Sequence, residues 1–513
     1  MGRVVGWVGL VLALAAGAAV RWTTPPQVQD LRPRPDALEY EEAARNLAAG
    51  EGYCLVFDGG CWPPRYPPGF SLLLVPGTWL TGGEHGGGIW TVLACAVLGI
   101  AAVWALGYAA GGPASAVVAA WLLALSPPHV RWSRAVMSDV PAATAVTLLG
   151  LGGLRALDGA GPLRWMLLGI ATGLSTLLRP ACALVAAPLA LVLAMRWRRD
   201  RAAGRALTAF GAGLAVGMAP TMRYASGYGF WVAAELFDWR NVVARPPGGT
   251  ESNLVFFARQ LVGLGSLYPW PEAALAVAGL ALGWAAPGRR RHLVVIATGT
   301  VAATVLLHLA FFWQWDRFLL PALPLLLALA ALPVATGNPP PLRIGSGILT
   351  ALVLGIAALT PGAFAPPDRP LGEVAALRAI AARVEPNAAL LAHGNVFLVQ
   401  RLFHDGTDRV WVPIGRCEHR RLVRELDRAP LAPAGEPPTW LWDALGSGAE
   451  GGDVEGVVRL LQLAGRPVYV TSMWMDQTPL VTQALRALEH RFTLEPVSTD
   501  PPTGLLRVGA PAP

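Results

Sequence analysis

The chain has 513 residues, of which 54% are hydrophobic and only 14% are charged. Soluble proteins carry about 25% charged residues, so a water-soluble globule of this length could not cover its surface. An intrinsically disordered chain is excluded as well, because such chains are poor in apolar residues. The composition therefore predicts a polytopic membrane protein.

All 40 basic residues are arginine, which excludes a Schiff-base lysine and the GK[ST] phosphate-binding loop. The net charge is +7, and the first 361 residues hold 25 arginines against 16 acidic residues. The excess of positive charge thus belongs to the apolar part of the chain, where it is typical of membrane topology. We expect no nucleic-acid partner.

The apolar runs predict about eleven transmembrane helices. The first run follows Arg3 and could be a cleaved signal, but the many later runs favour an uncleaved first helix. Several runs are shorter than the roughly 20 residues of a simple span, which is typical of helices in the middle of a bundle beside a water-filled cavity. A further apolar segment, 67–81, contains three prolines and predicts an interfacial or re-entrant helix. The eleven predicted spans are 4–20, 89–110, 114–128, 139–154, 163–177, 181–195, 206–221, 272–286, 293–312, 319–335 and 344–361.

The loops between the spans predict the orientation. Short segments on one side hold 12 arginines and two acidic residues, and arginine density next to span ends marks the cytoplasmic side. The N-terminus is then cytoplasmic, and the long loops 21–88 and 222–271 lie outside. The abundance of Ala, Gly, Pro and Arg indicates a bacterium, so we expect a multi-pass protein of the inner (plasma) membrane.

The last 152 residues, 362–513, have a mixed, nearly neutral composition that differs from the apolar part. Strands predicted there alternate with helices, which favours a soluble α/β domain outside the membrane. The predicted fold is therefore an all-α membrane module, 1–361, followed by this extracytoplasmic domain, 362–513. The predicted strands are 388–393, 467–472, 491–497 and 504–508, and the predicted helices are 371–384, 416–428, 453–464 and 478–490.

Two cysteines, Cys54 and Cys61, lie in the first outer loop. In an oxidising compartment they could form a disulfide that closes a small loop. Two free thiols are the alternative, and the sequence leaves both open.

The first outer loop also carries acidic residues in a helical pattern. Asp36, Glu39 and Tyr40 share one face of a helix at i, i+3 and i+4, and Leu47 and several alanines make the other side apolar. The pattern predicts a helix on the membrane surface that presents carboxylates toward the protein. The alternative is that Asp36 is a helix N-cap with Glu39 as its capping-box partner.

A second polar segment connects the third and fourth spans. It contains His129, Arg131 and Arg134, and Asp139 opens the fourth span. An acid at the mouth of a span is costly unless it is paired or functional. The alternative is a helix N-cap formed by Ser138 or Asp139, with Pro141 in the first turn.

Further charged residues lie at two other outer span ends. Arg179 lies in Leu178-Arg179-Pro180, and Asp316 and Arg317 follow Trp315. The alternative for each arginine is a side chain that extends to the membrane interface.

These motifs carry a family resemblance. In chain order they are D-x-x-x-Y-x-x-x-A-x-x-L-x-x-G-x-G-Y, R-Y-P-P-G-F-S-L-L-L, L-S-P, M-S-D, L-L-R-P and W-D-R-F-L-L-P. Over residues 1–361 the chain resembles the GT-C integral-membrane glycosyltransferases, in particular their protein-mannosyltransferase-like and aminoarabinose-transferase-like bacterial members. The tail resembles the variable outer domains of such enzymes.

The resemblance implies transfer of a sugar from a polyprenyl-phosphate carrier to an acceptor hydroxyl at the outer face, with inversion. Asp36 matches the family's base, and Asp139 would assist together with Glu39. The chain lacks the H-F-D-E form of the eukaryotic mannosyltransferases. The acceptor class, which the motifs leave open, is a lipid, a glycan or a protein.

The leaving group in such a reaction is already a stable anion, so the site needs positive charge and a base rather than a general acid. Arginine grips a phosphate in bidentate fashion. The carboxylates of Asp36, Glu39 and Asp139 could hold a divalent cation, although no other cofactor is implied. The arginines expected at the donor phosphate are Arg65, Arg131, Arg134, Arg179 and Arg317, and the further site residues are Tyr40, Tyr66, His129 and Asp316.

A lipid or polysaccharide transporter is the alternative function, and a non-catalytic assembly factor is a third. Transporters commonly show internal repeats and ionisable residues near the membrane midplane. The chain shows no repeat, and its notable acids are predicted at the outer surface. The sequence therefore favours the enzyme.

Overall fold

The chain divides into two compact units in a computed structural model. One unit comprises Met1–Val28 and Arg65–Asp368, and the other comprises Gln29–Pro64 and Arg369–Pro513. The predicted outer loop 21–88 thus contributes to both units. The structure describes residues 2–22, 36–57, 60–62, 64, 66–83, 87–228, 237–246, 249–267, 269–311, 314–335, 337–359, 379–393, 409–414, 454–471, 486–498 and 504–511.

The first unit is mostly helical, and helices occupy most of the described residues of each of the eleven predicted spans. Six helices of the described residues are long and apolar enough to cross a membrane. The chain is a multi-pass membrane protein. The helices of this unit are α1 (Gly2–Trp22), α3 (Gly69–Leu80), α4 (Ile89–Gly111), α5 (Pro113–Ala124), α6 (Pro127–Trp132), α7 (Asp139–Ala156), α8 (Pro162–Leu174), α9 (Ala186–Trp197), α10 (Arg201–Tyr228), α11 (Asn253–Leu261), α12 (Trp270–Ala285), α13 (Arg289–His308), α14 (Leu323–Ala330) and α15 (Pro340–Leu359), and α2 (Asp36–Ala49) belongs to the second unit.

Prolines explain why several spans are short or irregular. A proline in the first turn fits a helix start because its missing N–H would have no intrahelical partner, and α5, α8 and α12 all begin this way. The segment Asp316–Val334 contains prolines at three positions, and it alternates between 3-10 and α-helix. Of the residues in its most apolar stretch, 89% are buried. The segment therefore passes through the interior of the bundle, with Asp316 at one end.

Glycines bring α8 and α10 into backbone contact. A Cβ atom on Gly169 would lie 2.2 Å from the carbonyl oxygen of Phe210, and one on Gly213 would lie 2.1 Å from that of Met166. No side chain fits at such distances. Small residues at i and i+4 allow this close approach between membrane helices.

In the second unit, α2 precedes a short antiparallel hairpin of β1 (Leu55–Phe57) and β2 (Gly60–Trp62). The amide of Asn46 in α2 donates to the carbonyl of Cys54 at 2.8 Å, which ties the helix to the hairpin. Cys54 is disulfide-bonded, and the side chain of Cys61 lies outside the described part of the chain.

The helix α2 is buried on more sides than the sequence predicts. Ala37, Ala43 and Ala44 are buried as expected, and Glu39, Tyr40 and Glu41 are also 5% exposed or less. The predicted face with Glu39 and Tyr40 is thus turned into the protein, and only the burial of Glu41 was not predicted. Packing on both sides keeps the acidic residues out of bulk water.

The C-terminal part of the second unit contains a five-stranded mixed sheet. Its strand order is β4-β3-β5-β7-β6, with β3 parallel to β4 and β5, and β7 antiparallel to β5 and β6. The predicted strands 388–393, 467–472, 491–497 and 504–508 are present, whereas β4 was not predicted. The elements are β3 (Ala389–His393), β4 (Val410–Ile414), α16 (Val454–Leu463), β5 (Val468–Thr471), β6 (Phe492–Ser498) and β7 (Leu505–Pro511).

Apolar side chains from α16 and the sheet form the core of this part, among them Val458, Leu391 and Val470. The alternation of strand and helix in the sequence is what places them on one side of the sheet. The predicted helix 416–428, most of 371–384 and most of 478–490 lie outside the described residues, and 379–381 and 486–490 are helical.

Candidate active site

A buried carboxylate at the start of α7 is the centre of the candidate site. Asp139 has no exposed surface. Its Oδ1 lies 2.7 Å from Nη1 of Arg179, and its Oδ2 lies 4.0 Å from Nη1 of Arg317. Two positive charges from different segments thus compensate the charge of one buried acid.

The carboxylate of Asp139 can accept further hydrogen bonds. Despite the short approach of Arg179, neither carboxylate oxygen has a hydrogen-bond partner among the described residues. The preceding residue, Ser138, does not cap α7 through its side chain either. The N-cap interpretation of Asp139 is therefore wrong, because the side chain faces the arginines instead of the helix N–H groups.

Arg179 is held at the cluster from the turn before Pro180. A residue before proline is restricted to extended conformations, and Arg179 has φ −159° and ψ 126°. Its Nη1 also donates to Oγ of Ser138 at 3.3 Å. The Arg179 side chain is 15% exposed.

Aromatic rings surround the second guanidinium. The Cζ atom of Arg317 lies 5.5 Å from the ring centre of Trp132, 5.4 Å from Trp315 and 5.7 Å from Phe318. Such cation–π contacts fix the plane of a guanidinium and stabilise its charge where little water is present. The Arg317 side chain is 13% exposed.

Beside this cluster, Asp316 connects three segments of the bundle. Its carboxylate is 6% exposed and forms an ion pair with Arg131. It also accepts hydrogen bonds from Nε1 of Trp132 at 3.3 Å and from Oγ of Ser266 at 2.8 Å. These contacts join the polar segment after α5 to the predicted outer end of the 319–335 span.

His129 and Arg134 make contacts with the end of α1. Nη2 of Arg21 lies 2.7 Å from Nδ1 of His129, and Nη1 of Arg21 donates to the carbonyls of Gly17 and Ala124. Arg134 donates to the carbonyl of Val20 at 2.6 Å, and burial lowers the pKa of its guanidinium. Both residues thus support the α1 end; a direct role in donor binding stays a prediction.

The carboxylates of the first outer loop belong to the other unit. Asp36 begins α2 and is partly exposed, whereas Glu39 and Tyr40 are buried. Glu42, one turn further on, pairs with Arg45 at 2.9 Å. Burial raises the pKa of Glu42, and the charge of Arg45 opposes that rise.

The structure brings together five of the predicted site residues as two adjoining clusters in the first unit. Tyr66 lies in the same unit and is partly exposed, and Arg65 lies outside the described residues. The five residues are Asp139, Arg179, Arg317, Asp316 and Arg131.

Sequence reasoning missed Ser266 and did not assign roles to Arg21, Trp132 and Trp315. Ser266 carries no local signal, because a serine in a loop is ordinary. Arg21 does carry one, since an arginine at the end of an apolar helix is costly unless it is paired. Trp315 begins the quoted motif W-D-R-F-L-L-P, whereas Trp132 lies outside the quoted motifs, and only the fold shows that both rings contact Arg317.

The residues at Asp139 do not suit a metal ion. Among the described parts of the chain, no group of three or more His, Cys, Asp or Glu side chains could hold one. The neighbours of Asp139 are guanidinium groups, which would repel a cation. We therefore derive no step through a metal.

Comparison with known proteins agrees with this architecture. Residues 65–228 match the family described as dolichyl-phosphate-mannose-protein mannosyltransferase. This range contains Asp139 and Arg179 but ends before Arg317. A search of curated proteins by sequence gives no match.

Solved structures match over nearly the whole chain. The apo form of ArnT from Cupriavidus metallidurans is 16% identical with a TM-score of 0.62, and the match covers 98% of each chain. ArnT from the same organism bound to undecaprenyl phosphate matches with a TM-score of 0.61, 16% identity and the same coverage.

A more distant structural match is the archaeal oligosaccharyltransferase AglB from Archaeoglobus fulgidus, in complex with an inhibitory peptide and a dolichol-phosphate. The identity is 12% and the TM-score 0.52, over 98% of this chain and 74% of that one. The family resemblance expected from the motifs is thus confirmed at the level of the fold. The chain has the GT-C fold of the mannosyltransferase and ArnT type.

Proposed function

We propose that the protein is an inverting glycosyltransferase that moves a sugar from a polyprenyl-phosphate donor to an acceptor hydroxyl on the outer face of the membrane. The observation that supports this most is the buried cluster of Asp139, Arg179 and Arg317. It lies in a fold shared with an ArnT structure that binds undecaprenyl phosphate.

The cluster has the chemistry that a phosphate leaving group requires. As the bond from the anomeric carbon to the phosphate oxygen breaks, negative charge grows on the phosphate. Arg179 and Arg317 carry fixed positive charges in a largely buried place, where electrostatic stabilisation is stronger than in water. The side chains of Arg179 and Arg317 are 15% and 13% exposed, so neither is fully enclosed by protein.

Asp139 keeps the two arginines in place when no donor is bound. A buried guanidinium without a compensating charge would be costly. A bound phosphate would balance part of the positive charge of the two arginines, and Asp139 would remain next to both of them.

The acceptor hydroxyl must lose its proton as its oxygen attacks the anomeric carbon. In a single displacement the acceptor oxygen forms the new bond, the phosphate departs with the electron pair of the old bond, and a base takes the proton. We assign the base to Asp36, at the start of α2, where its carboxylate is partly exposed. Glu39 and Tyr40 then support that helix end.

The proposed orientation follows from arginine density. Short segments between spans, such as Arg289-Arg290-Arg291, hold most of the clustered positive charge and mark the cytoplasmic side. The N-terminus is then cytoplasmic, and the sheet-containing residues after 361 lie outside. A reporter that is active only outside the cytoplasm should be active when it is fused after residue 361, and inactivity there would contradict this orientation.

A reconstituted transfer assay tests the function. Purified protein in lipid vesicles is given undecaprenyl-phosphate sugars of several kinds together with a lipid extract from the source membrane as acceptor. The proposal expects release of undecaprenyl phosphate and appearance of a glycosylated product for at least one sugar. The proposal would be contradicted if the folded protein neither transferred sugar from any donor nor bound undecaprenyl phosphate.

A further inference from the structure

Trp132 lies where the two ionic clusters of the site meet. It is the last residue of α6 and is 8% exposed. Its Nε1 donates to Oδ1 of Asp316 at 3.3 Å, and its ring lies 5.5 Å from Cζ of Arg317. The Trp132 side chain therefore contacts Asp316 of one cluster and Arg317 of the other.

The neighbours of Trp132 limit how its ring can turn. The ring of Trp315 packs edge-on against it, with centroids 6.3 Å apart and planes at 74°. The hydrogen bond to Asp316 fixes the indole in its own plane. Asp316 in turn is held by Arg131 and by Ser266. The indole face presented to Arg317 is thus set by contacts on two other sides.

Arg317 has further contacts, among them the rings of Trp315 at 5.4 Å and Phe318 at 5.7 Å. Its distance to Asp139 is 4.0 Å, which is long for a directed ionic hydrogen bond, and its contact with Sδ of Met137, at 3.8 Å, is weak. Asp316 and Arg317 are consecutive in the chain, so a ring bound to the first is well placed to orient the second. Tryptophan offers the strongest cation–π surface of the aromatic side chains.

We propose that Trp132 is a positioning residue that orients the guanidinium of Arg317 for the donor phosphate. The inference rests on the proposed function, because it takes Arg317 to contact that phosphate. Trp132 itself does not touch the reacting atoms in this account. It acts by keeping the arginine plane fixed before the donor arrives, which reduces the ordering that binding requires.

The main test replaces Trp132 by Phe, which keeps an aromatic ring and removes the Nε1–H donor. Binding of undecaprenyl phosphate to purified protein in nanodiscs is the measurement. We expect Trp132→Phe to weaken binding by about 3- to 30-fold, because the phenyl ring gives a weaker cation–π contact and is no longer held by a hydrogen bond to Asp316. Its thermal unfolding temperature should stay close to that of the control variant.

Trp104→Phe is the matched control. Trp104 is also 8% exposed and also donates an Nε1 hydrogen bond, to the carbonyl of Gly6 at 3.2 Å. Its ring packs against Trp7 and Tyr108. The control loses the same groups from a similarly buried indole, so it reports the cost of the substitution alone. Its affinity for undecaprenyl phosphate should equal that of the wild type.

A double-mutant cycle with Arg317→Ala distinguishes positioning from a general structural role. If Trp132 acts through Arg317, Trp132→Phe should have no further effect on binding once the arginine is gone. An equal loss of affinity in both backgrounds would overturn the positioning role and leave the proposed function intact. Unchanged binding in Arg317→Ala itself would overturn both the phosphate role of Arg317 and this inference.

Discussion

The guanidinium of Arg179 lies 2.7 Å from the carboxylate of Asp139, and that carboxylate has no exposed surface. The two residues come from different segments, the start of α7 and the turn before Pro180. Their proximity joins two motifs that are 40 positions apart in the sequence. With Arg317 they form a site with two positive charges and one negative charge.

The first prediction concerns the charge balance of that site. Asp139→Asn leaves Arg179 and Arg317 without their buried counter-charge, and breaking a buried pair costs about 3–5 kcal/mol. We expect a lower unfolding temperature in detergent and a reduced rate of transfer. Because a bound phosphate would restore the missing negative charge, undecaprenyl phosphate should raise the unfolding temperature of Asp139→Asn more than that of the wild type. An equal rise in both proteins would argue that the anion binds elsewhere.

The second prediction concerns the base. Asp36→Asn keeps the size of the side chain and can still cap α2, since Asn and Asp cap helices about equally well. It cannot accept the proton of the acceptor hydroxyl. We expect transfer to fall by about 10²- to 10⁴-fold, with expression and binding of undecaprenyl phosphate near wild type. Wild-type turnover in this variant would reinstate the capping interpretation of Asp36.

The third prediction tests the contact between α8 and α10. A Cβ on Gly213 would lie 2.1 Å from the carbonyl oxygen of Met166, so Gly213→Ala must push the helices apart. Overpacking of this kind costs about 1–3 kcal/mol. Gly211→Ala, two positions earlier, is the control because nothing lies within 4 Å of its Cβ position. The unfolding temperature should fall for Gly213→Ala and stay the same or rise for Gly211→Ala; equal values would contradict the packing.

The fourth prediction concerns the pH dependence of the C-terminal sheet. The hydroxyl of Tyr469 donates to Oε2 of Glu385 at 2.6 Å and lowers the pKa of that carboxyl below its ordinary value of 4.5. A carboxyl with a depressed pKa in the folded state stabilises the fold above its ordinary pKa. This contribution is lost as the pH falls from about 4.5 through the lowered value.

Tyr469→Phe removes that hydrogen bond and should make the sheet less sensitive to acid. Burial and the bond to Glu385 also raise the pKa of Tyr469 to about 12, so the wild type loses a second contribution as the pH rises from about 10 to 12. Hydrogen exchange of β5 in the full-length protein measures both effects. The same pH profile in the wild type and Tyr469→Phe would contradict the assignment.

Much of the helical unit could be predicted from the sequence because apolar runs of this length have few alternatives in a membrane. Each predicted span is mainly helical over its described residues. The strand β4, Val410–Ile414, was missed because its apolar run, VWVPI, is short and contains a proline. The burial of Glu41 was missed because helical periodicity describes one element and not what packs on its other sides.

The residues of the candidate site could be predicted from the sequence, but most of the contacts between them could not. The motifs singled out Asp139, Arg179 and Arg317 because charged residues at span ends are costly without a purpose. They could not show that Asp139 pairs with both arginines, or that Arg131 pairs with Asp316. Such pairings depend on how distant helices pack, which no local pattern encodes. Ser266 was unpredictable for the same reason.

The most direct measurement is the affinity of the purified protein for undecaprenyl phosphate when Arg179 is replaced. Arg259→Ala is the control, because it removes one positive charge from an exposed ion pair with Glu251. The account predicts that Arg179→Ala weakens binding by about ten- to hundred-fold, as expected for a lost charged hydrogen bond. The affinity of Arg179→Lys should lie between those of the wild type and Arg179→Ala, because lysine keeps the charge and loses the bidentate geometry. Arg259→Ala should bind undecaprenyl phosphate like the wild type. Equal affinity in the wild type, Arg179→Ala and Arg259→Ala would contradict a donor-phosphate site at this cluster.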